Sequence, residues 1–137
     1  MALHLPTDAV VADSFGADDT ARTVALADVG ARMILDIGPD SAQAYAAVLR
    51  GAKTIVFNGP MGVYEKAPYQ NGTRTVGRAI AEATRAGATS VVGGGDAAAA
   101  AHELGFADAM THVSTGGGAT LEFLEGKTLP GVAALEN

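Results

Sequence analysis

Residues 90–96 read SVVGGGD, and this stretch decides the fold class. An apolar run typical of a buried strand passes directly into three glycines and an aspartate. Five alanines follow at residues 97–101 and predict a helix to about residue 104, because alanine has the highest helix propensity. A strand that turns through glycines into a helix is typical of layered α/β proteins, whose neighbouring strands run parallel.

The same arrangement of strand, glycines and helix occurs a second time nearer the carboxyl end. Residues 111–113 (THV) predict a short strand, which runs into STGGG at residues 114–118. A helix is predicted from there to about Glu125, with Gly126 as its stop and Pro130 beyond it. Two such units in one short chain indicate a repeated architecture, although the sequence itself contains no repeat.

Apolar patterns elsewhere predict the remaining elements. Residues 54–57 (TIVF) are the clearest strand, an unbroken apolar run of the kind found in parallel sheets. One helix is predicted over residues 39–51, with Asp40 or Ser41 as its cap, and another over residues 73–86, where apolar side chains share one face. Further short strands are predicted at residues 9–12, 23–26 and 33–35.

Strand and helix thus alternate four times between residues 33 and 125. This order predicts an α/β fold, part of a doubly wound (Rossmann-like), mainly parallel sheet with flanking helices. The length of 137 residues suits one small domain. With 48% hydrophobic and 18% charged residues, the chain is expected to form a folded core.

Composition and charge exclude several classes of function. The net charge is −6 and basic runs are absent, so the chain is a poor candidate for binding nucleic acid. No apolar run approaches 18 residues and the first seven residues lack a basic stretch, so neither a membrane span nor a secretory signal is expected. The absence of cysteine excludes disulfides and thiolate metal sites.

Both glycine clusters fall between the carboxyl end of a strand and the amino end of a helix. Ligands of open α/β sheets bind at that edge. A helix start carries unpaired N–H groups and a partial positive charge, and glycines leave the backbone open to an anion. The pattern therefore predicts a phosphate-binding edge, although a tight strand-to-helix turn also favours glycine for purely structural reasons.

Two familiar phosphate motifs do not match this sequence. Gly126 opens the triplet GKT that ends a P-loop, but the position five residues earlier is Leu121 instead of glycine. The dinucleotide fingerprint G-x-G-x-x-G begins at Gly93 and Gly95, but its third glycine falls on Ala98. No acidic residue ends a strand about 20 residues further on, as that motif requires.

Two acidic side chains near this edge each have a structural and a functional interpretation. Asp96 is placed to cap a helix, but its carboxylate could also hold Mg²⁺ against phosphate oxygens. Residues 58–65 (NGPMGVYE) form either a plain connector or a ligand-binding loop. In the second case Glu65 would suit a pair of ribose hydroxyls, because an ionised carboxylate only accepts hydrogen bonds.

Three segments of the chain resemble signature motifs of the phosphoglycerate kinase family, in that family's order and at about its spacing. They are residues 57–65 (FNGPMGVYE), 93–96 (GGGD) and 112–119 (HVSTGGGA). Weaker resemblances occur at residues 5–13, 36–39 and 124–133, so the likeness covers nearly the whole chain.

The resemblance implies that residues 1–137 are the second half of the carboxyl-terminal, nucleotide-binding domain of such an enzyme. The family's reaction is Mg²⁺-dependent phosphoryl transfer between 1,3-bisphosphoglycerate and ADP, which gives 3-phosphoglycerate and ATP in glycolysis. The implied partners are an adenine nucleotide, and 3-phosphoglycerate only through an amino-terminal domain that is missing here. The family is cytoplasmic and usually monomeric.

The isolated chain is therefore expected to be inactive, since the lysines that contact the phosphates in this family also have no counterpart here. The alternative is a non-catalytic structural fragment or a weak phosphate- or nucleotide-binding module.

The resemblance also assigns site residues. The backbone amides that would contact phosphoryl groups belong to Gly94, Gly95, Gly116, Gly117 and Gly118. The residues that would line the ATP or ADP site are Asn58, Pro60, Gly62, Val63, Glu65, Gly93, Gly94, Gly95, Asp96 and Ala97. Mg²⁺ would be held by Asp96. Two positions depart from the family pattern: Phe57 stands where tryptophan is usual, and Ala97 where threonine or serine is usual.

Overall fold

Two separate three-stranded sheets form the β structure of residues 1–136, the part of the chain that the computed structural model describes. The first sheet is antiparallel, with the order β2-β1-β3. Its strands are β1 (Asp8–Ala12), β2 (Arg22–Ala25) and β3 (Met33–Ile37). The second sheet is parallel, with the order β4-β5-β6. Its strands are β4 (Thr54–Phe57), β5 (Thr89–Gly93) and β6 (His112–Ser114).

The helices of the described residues are α1 (Pro39–Arg50), α2 (Asn71–Arg85), α3 (Gly95–Glu103), α4 (Gly117–Leu124) and α5 (Pro130–Ala133). Four of the helices lie close to where the sequence predicts them, whereas the short α5 was not predicted. The α/β class, with a parallel sheet flanked by helices, is therefore confirmed. No helix within residues 1–136 is both long and apolar enough to span a bilayer. The domain predicted over residues 1–137 is described up to residue 136, and Asn137 lies outside the described residues.

The position of β3 differs from the predicted alternation. The sequence order places residues 33–35 at the head of the parallel series, but β3 pairs antiparallel with β1, with Ala9 opposite Ile37. The parallel series therefore begins at β4. Periodicity identifies a strand but does not choose its partner, and β1 lies more than 20 residues earlier in the chain.

The core of the parallel layer is built from aromatic, aliphatic and many small side chains. Phe57 on β4 meets Phe106 edge to face, with ring centroids 5.9 Å apart. Ile80 and Val92 are fully buried beside them. Gly77 lies against the Phe106 ring, where a Cβ would overlap it, so the small residue permits this close approach of α2. Glycine at residue 77 thus allows α2 to pack closely on the Phe106 ring.

The cap of α1 corrects the sequence-based prediction. Neither Asp40 nor Ser41 caps the helix; its N-cap is Gly38, which makes no side-chain hydrogen bond. The carboxylate of Asp8 on β1 instead accepts the N–H groups of Asp40 (3.0 Å) and Ser41 (2.9 Å) and the Ser41 hydroxyl. Burial opposes ionisation of Asp8, but these hydrogen bonds outweigh it and lower the pKa of the carboxyl. The cap therefore comes from a residue about 30 positions away.

Candidate functional site

The two glycine clusters meet at one edge of the parallel sheet. Asn58 follows β4 directly, and Gly93 and Gly94 connect β5 to α3. The Gly94 N–H donates to the Ser114 carbonyl (2.9 Å), and this hydrogen bond links the end of β5 to the end of β6. A Cβ on Gly117 would lie 2.8 Å from the Gly94 Cα, so the two turns are in backbone contact. The predicted convergence of the clusters is present.

The glycines of these turns have different reasons for being glycine. Gly94 has a φ of +114°, a conformation that side chains rarely adopt, and Gly117 packs against the Gly94 backbone. At Gly95 and Gly118, by contrast, a Cβ would meet nothing within 4 Å, and neither residue has a positive φ. Local structure therefore requires glycine at two of these positions and leaves it unexplained at the other two.

The backbone N–H groups also divide into engaged and open ones. Gly94, Gly116 and Gly117 donate theirs to Ser114 O, Ser114 Oγ (3.2 Å) and Thr115 O (3.1 Å) respectively. The first-turn N–H groups without a partner in the part of the chain that the structure describes belong to Gly95, Asp96, Ala97, Gly118 and Ala119. Two helix starts thus present open donors at the same sheet edge, where the macrodipole favours an anion.

A cavity of about 400 Å³ lies beside the start of α3. The loop that follows β4 forms most of its wall, and Asp96 joins the wall from α3. The predicted site residues that line it are Pro60, Gly62, Val63, Glu65 and Asp96. The structure therefore brings five residues from two predicted motifs into one cavity.

The other predicted residues lie outside this wall. Gly93 is buried at the end of β5, and the Asn58 oxygen Oδ1 lies 3.6 Å from where a Cβ of Gly93 would be. The Ala97 side chain is buried in the core and not turned toward the cavity. Its contribution to the site is its backbone N–H, which has no acceptor among the described residues.

Phe15 and Lys66 complete the cavity, and sequence reasoning assigned neither to it. The Lys66 Nζ lies 4.5 Å from the centroid of the Phe15 ring and donates to both carboxylate oxygens of Asp18, at 3.1 and 3.2 Å. Lys66 directly follows Glu65, so its neighbourhood was foreseeable. Phe15 lies some 50 residues earlier in the chain, and no pattern in the sequence around it predicts that it lines this cavity.

The loop that follows β4 is held in place by the antiparallel sheet and by α2. The Val63 N–H donates to the Leu35 carbonyl of β3 (2.9 Å), and the Met61 N–H donates to the Thr73 hydroxyl of α2 (3.0 Å). A Cβ on Gly62 would lie 2.6 Å from that Leu35 oxygen. Close packing therefore accounts for the glycine at residue 62.

Asp36 of β3 packs against the loop that follows β4 and against the first turn of α2. Its side chain is 1% exposed, and its carboxylate accepts the N–H groups of Gly72 and Ile37, each at 2.8 Å. Burial raises the pKa of Asp36 to about 6, and the two hydrogen bonds only partly offset that effect. The sequence places Asp36 in the family-like stretch 36–39 but gives it no role, because a buried carboxylate in a strand has no distinct pattern.

The electrostatic environment of the cavity is negative. Burial raises the pKa of the Tyr64 hydroxyl, and the charges of Glu65, Glu103 and Asp96 raise it further, so all three carboxylates act at this point. The ammonium of Lys66 is paired with Asp18. A phosphate group entering here therefore meets uncompensated negative charge.

The residues present could hold a magnesium ion only together with phosphate oxygens. Residues 1–136 contain no cluster of three or more metal-ligating side chains. Asp96 is exposed and lines the cavity, and its carboxylate makes no hydrogen bond or ion pair with any other residue of the stretch 1–136. Mg²⁺ is commonly bound by one or two carboxylates plus substrate phosphates, and a single free carboxylate fits that mode.

Comparisons with known proteins agree on one family. A model of the family described as phosphoglycerate kinase matches residues 1–127. Phosphoglycerate kinases of Rhodococcus erythropolis and Chloroflexus aurantiacus are 56% and 52% identical over 136 residues, 98% of this chain and 34% of theirs.

Solved structures give the same result. The phosphoglycerate kinase of Coxiella burnetii matches with a TM-score of 0.82 and 44% identity over 90% of this chain and 32% of that one. That of Pyrococcus horikoshii matches with a TM-score of 0.80 and 38% identity over 96% of this chain and 32% of the other. The chain spans about a third of the length of the relatives it matches. It belongs to the phosphoglycerate kinase family.

Proposed function

We propose that the chain is the carboxyl-terminal third of a phosphoglycerate kinase and carries half of its nucleotide site. Residues 1–137 would be the second half of the nucleotide-binding domain, and ATP or ADP would bind at the cavity beside α3. The observation that carries the proposal is the meeting of the loop that follows β4 with Asp96 and two open helix starts at one sheet edge.

The cavity wall suits a nucleoside. Pro60 and Val63 offer apolar surface to the base, and Gly62 lets the loop fold closely onto β3. Glu65 is exposed at the cavity, and its carboxylate would accept hydrogen bonds from the ribose hydroxyls. Asn58 and Gly93 lie nearer the sheet edge, where they would shape the passage toward the phosphates.

Open backbone donors suit the phosphates. The N–H groups of Gly95, Asp96 and Ala97 would receive the nucleotide phosphates, and those of Gly118 and Ala119 the phosphoryl group being transferred. Gly94, Gly116 and Gly117 would support them by fixing the two turns against each other. Asp96 would hold Mg²⁺, which when bound neutralises charge on the phosphate oxygens.

The proposed reaction of the whole enzyme is phosphoryl transfer between 1,3-bisphosphoglycerate and ADP, a glycolytic step of the cytoplasm. Such a transfer needs positioning and charge stabilisation and no protein nucleophile. The 137-residue chain should not catalyse it, because it spans about a third of its relatives and Lys66, the lysine at the cavity, is paired with Asp18. The carboxyl acceptor, 3-phosphoglycerate, would bind elsewhere in the whole protein.

Calorimetric titration with ADP and Mg²⁺ tests the proposal. We expect a Kd of roughly 1 mM, a free energy of about 4 kcal/mol, since only part of a complete site is present. Glu65→Gln should weaken binding by about fivefold, the effect of losing a charged acceptor worth about 1 kcal/mol. Glu122→Gln is the matched control, because Glu122 is exposed on α4 away from the cavity.

A purified chain free of host enzyme should also show no ADP-dependent turnover. Micromolar binding that Glu65→Gln leaves unchanged, or measurable turnover, would contradict the proposal. If neither ADP nor inorganic phosphate binds at all, the chain is instead a non-catalytic structural piece.

A further inference from the structure

Two arginines of α2 have no partner for their charge within residues 1–136. The guanidinium groups of Arg78 and Arg85 make no hydrogen bond or ion pair with any residue of that stretch. Every other arginine of the chain has one: Arg22 with Asp13, Arg32 with two backbone carbonyls, Arg50 with Glu82, and Arg74 with Gln70. Because the chain has 15 acidic and nine basic residues, a shortage of carboxylates does not explain the difference.

Both arginines line the same cavity, which has a volume of about 310 Å³ and lies between α2 and the segment that follows α3. Ala81 lies between them along the helix, and Phe106 contributes a further part of the wall. Ala81 and Phe106 are buried, whereas the two arginines are exposed. The cavity therefore combines an apolar floor with a charged rim, and its volume is at the lower end of the range for small-molecule sites.

One acidic residue, Glu82, lines the cavity in the described part of the chain, but a third arginine pairs with it. The Glu82 carboxylate accepts a hydrogen bond from Nε of Arg50 at 2.8 Å. This hydrogen bond is the main cause of the lowered pKa of Glu82, and the charges of Arg85 and Arg78 lower it further. Three cations thus surround one anion, and the cavity is locally positive in a chain whose net charge is −6.

The backbone does not supply this positive charge. The cavity adjoins the carboxyl end of α3, where a helix carries roughly half a negative charge. The last turn of α2 favours Arg85 for the same electrostatic reason, but Arg78 lies about two turns earlier and gains nothing from the helix end. Two full guanidinium charges outweigh the partial charge, so the arginine side chains themselves would attract an anion.

The spacing of the two arginines indicates how many anionic groups the occupant carries. Positions seven residues apart on a helix lie on nearly the same face and about 10.5 Å apart along its axis. A single guanidinium can hold one phosphate or carboxylate through two parallel hydrogen bonds. Arg78 and Arg85 can therefore each take one anionic group, at the two ends of the same cavity.

We propose that this cavity is a second ligand site, which takes a small molecule with at least two phosphate or carboxylate groups. Arg78 and Arg85 would bind one group each, and the body of the ligand would lie on Ala81 and Phe106. The site is separate from the proposed nucleotide site, because the two cavities lie at opposite ends of α3, which is about 13 Å long. Failure of ADP to bind would contradict the proposed function and leave this inference untouched.

The test is a titration of the ¹⁵N-labelled chain without Mg²⁺, with tripolyphosphate for the phosphate groups and citrate for the carboxylates. The amide resonances of Ala81 and Phe106 should shift with at least one of them, with a Kd of about 1 mM or lower. Arg78→Gln and Arg85→Gln should each raise this Kd at least about fivefold, because each removes a charge-assisted contact. Because both side chains are exposed, neither change should move the Tm by more than about 2 °C.

Arg74→Gln is the matched control, because Arg74 lies on the same helix, carries the same charge and lies outside the cavity. At about 0.15 M salt it should leave the Kd unchanged within about twofold, since screening weakens attraction that does not involve contact. An equal loss in all three variants would show a general attraction of polyanions to α2 and would overturn the inference.

Two other results would also overturn it. One is the absence of shifts at Ala81 and Phe106 with both compounds, and the other is binding that Arg78→Gln and Arg85→Gln leave unchanged. Binding of tripolyphosphate alone, or of citrate alone, would support the inference and would identify which anionic group the site recognises.

Discussion

Asp36 is the residue on which the site scaffold depends most directly. Its buried carboxylate joins β3 to the first turn of α2 through Gly72, and Gly62 and Gly72 both pack so closely on it that a Cβ at either position would overlap it. The loop that follows β4, the strand β3 and the helix α2 therefore all meet at the Asp36 carboxylate. Larger residues at either glycine would displace the loop that carries Val63 and Glu65.

The ionisation of Asp36 makes stability depend on pH. Its pKa is raised from 3.8 to about 6 in the folded chain, so its contribution to stability is fully present below about pH 4 and is lost as the pH rises through 6. The change amounts to about 3 kcal/mol, from about two units of pKa at 1.36 kcal/mol each. Asp8 and Glu82 have lowered pKa values and act in the opposite direction, so total stability does not isolate the effect.

Urea unfolding of the wild type and of Asp36→Asn between pH 4 and pH 7.5 isolates it. Asparagine does not titrate, so the free energy of unfolding of the wild type relative to Asp36→Asn should fall by up to about 3 kcal/mol as the pH rises from 4 to 7.5. Asp108→Asn, at an exposed position, should leave the pH profile unchanged. Parallel curves for wild type and Asp36→Asn would mean that this carboxyl does not titrate in that window.

Alanine substitutions in the two glycine turns can distinguish glycines that the fold requires from glycines that would contact a ligand. Gly117→Ala should lower the Tm, because the new methyl would lie 2.8 Å from the Gly94 Cα. Gly95→Ala and Gly118→Ala meet open space and should leave the Tm within about 2 °C. Those methyls would instead stand where a bound phosphate approaches the open N–H groups.

A thermal-shift assay with 10 mM ADP and Mg²⁺ measures how much the ligand stabilises each of these variants. With a Kd of roughly 1 mM, the ligand stabilises the wild type by about 1.4 kcal/mol. Gly95→Ala should reduce this gain, and Gly118→Ala should reduce any gain from inorganic phosphate. If both variants keep the full response, the open amides do not contact the anion.

At the scale of elements, hydrogen bonds from β3 and α2 hold the loop that follows β4 in place. Thr73 is fully buried, and its hydroxyl accepts the Met61 N–H at 3.0 Å. Thr73→Val keeps the shape but leaves that N–H unpaired, and should cost about 1–2 kcal/mol in the free energy of unfolding. Thr73→Ser restores the acceptor and should recover most of the loss. Equal destabilisation by valine and serine would assign the effect to packing.

The elements themselves were predictable where the sequence pattern is local. The apolar run at residues 54–57, the apolar face of α2 and the two strand-glycine-helix units each appear within a short window, and each forms in the structure. Boundaries moved by about two residues, as for α2, which covers Asn71–Arg85 instead of 73–86. Such shifts follow from capping and fraying at helix ends.

Contacts between distant parts of the chain were not predictable in the same way. The pairing of β3 with β1, the cap that Asp8 gives to α1, and the arrival of Phe15 at the cavity each join positions more than 20 residues apart. A pattern within one segment carries no information about which other segment it meets. The motifs that meet at the candidate site are visible in the sequence, whereas the hydrogen bond from the Gly94 N–H to the Ser114 carbonyl is not.

At the scale of the whole molecule, charge limits what the cavity can bind. The chain has a net charge of −6, and the carboxylates of Glu65, Asp96 and Glu103 act together on Tyr64 at the cavity. ADP is itself an anion, so its binding should require a divalent cation. Removal of Mg²⁺ with EDTA should weaken ADP binding by about tenfold, equal to about 1.4 kcal/mol. Asp96→Asn should lessen that dependence, whereas Asp108→Asn should not, and calorimetry with and without Mg²⁺ measures both.

A titration of the ¹⁵N-labelled chain with ADP and Mg²⁺, followed by the amide resonances, tests most directly whether half of a nucleotide site lies at this sheet edge. We expect the resonances of Val63, Glu65, Gly95, Asp96 and Ala97 to move together along one binding curve, while those of α5 stay in place. Inorganic phosphate should move the helix-start resonances, at Gly95 and Gly118, and leave Val63 unmoved. Shifts that spare the cavity loop and α3, or that appear only elsewhere on the chain, would contradict the claim that half of a nucleotide site lies here.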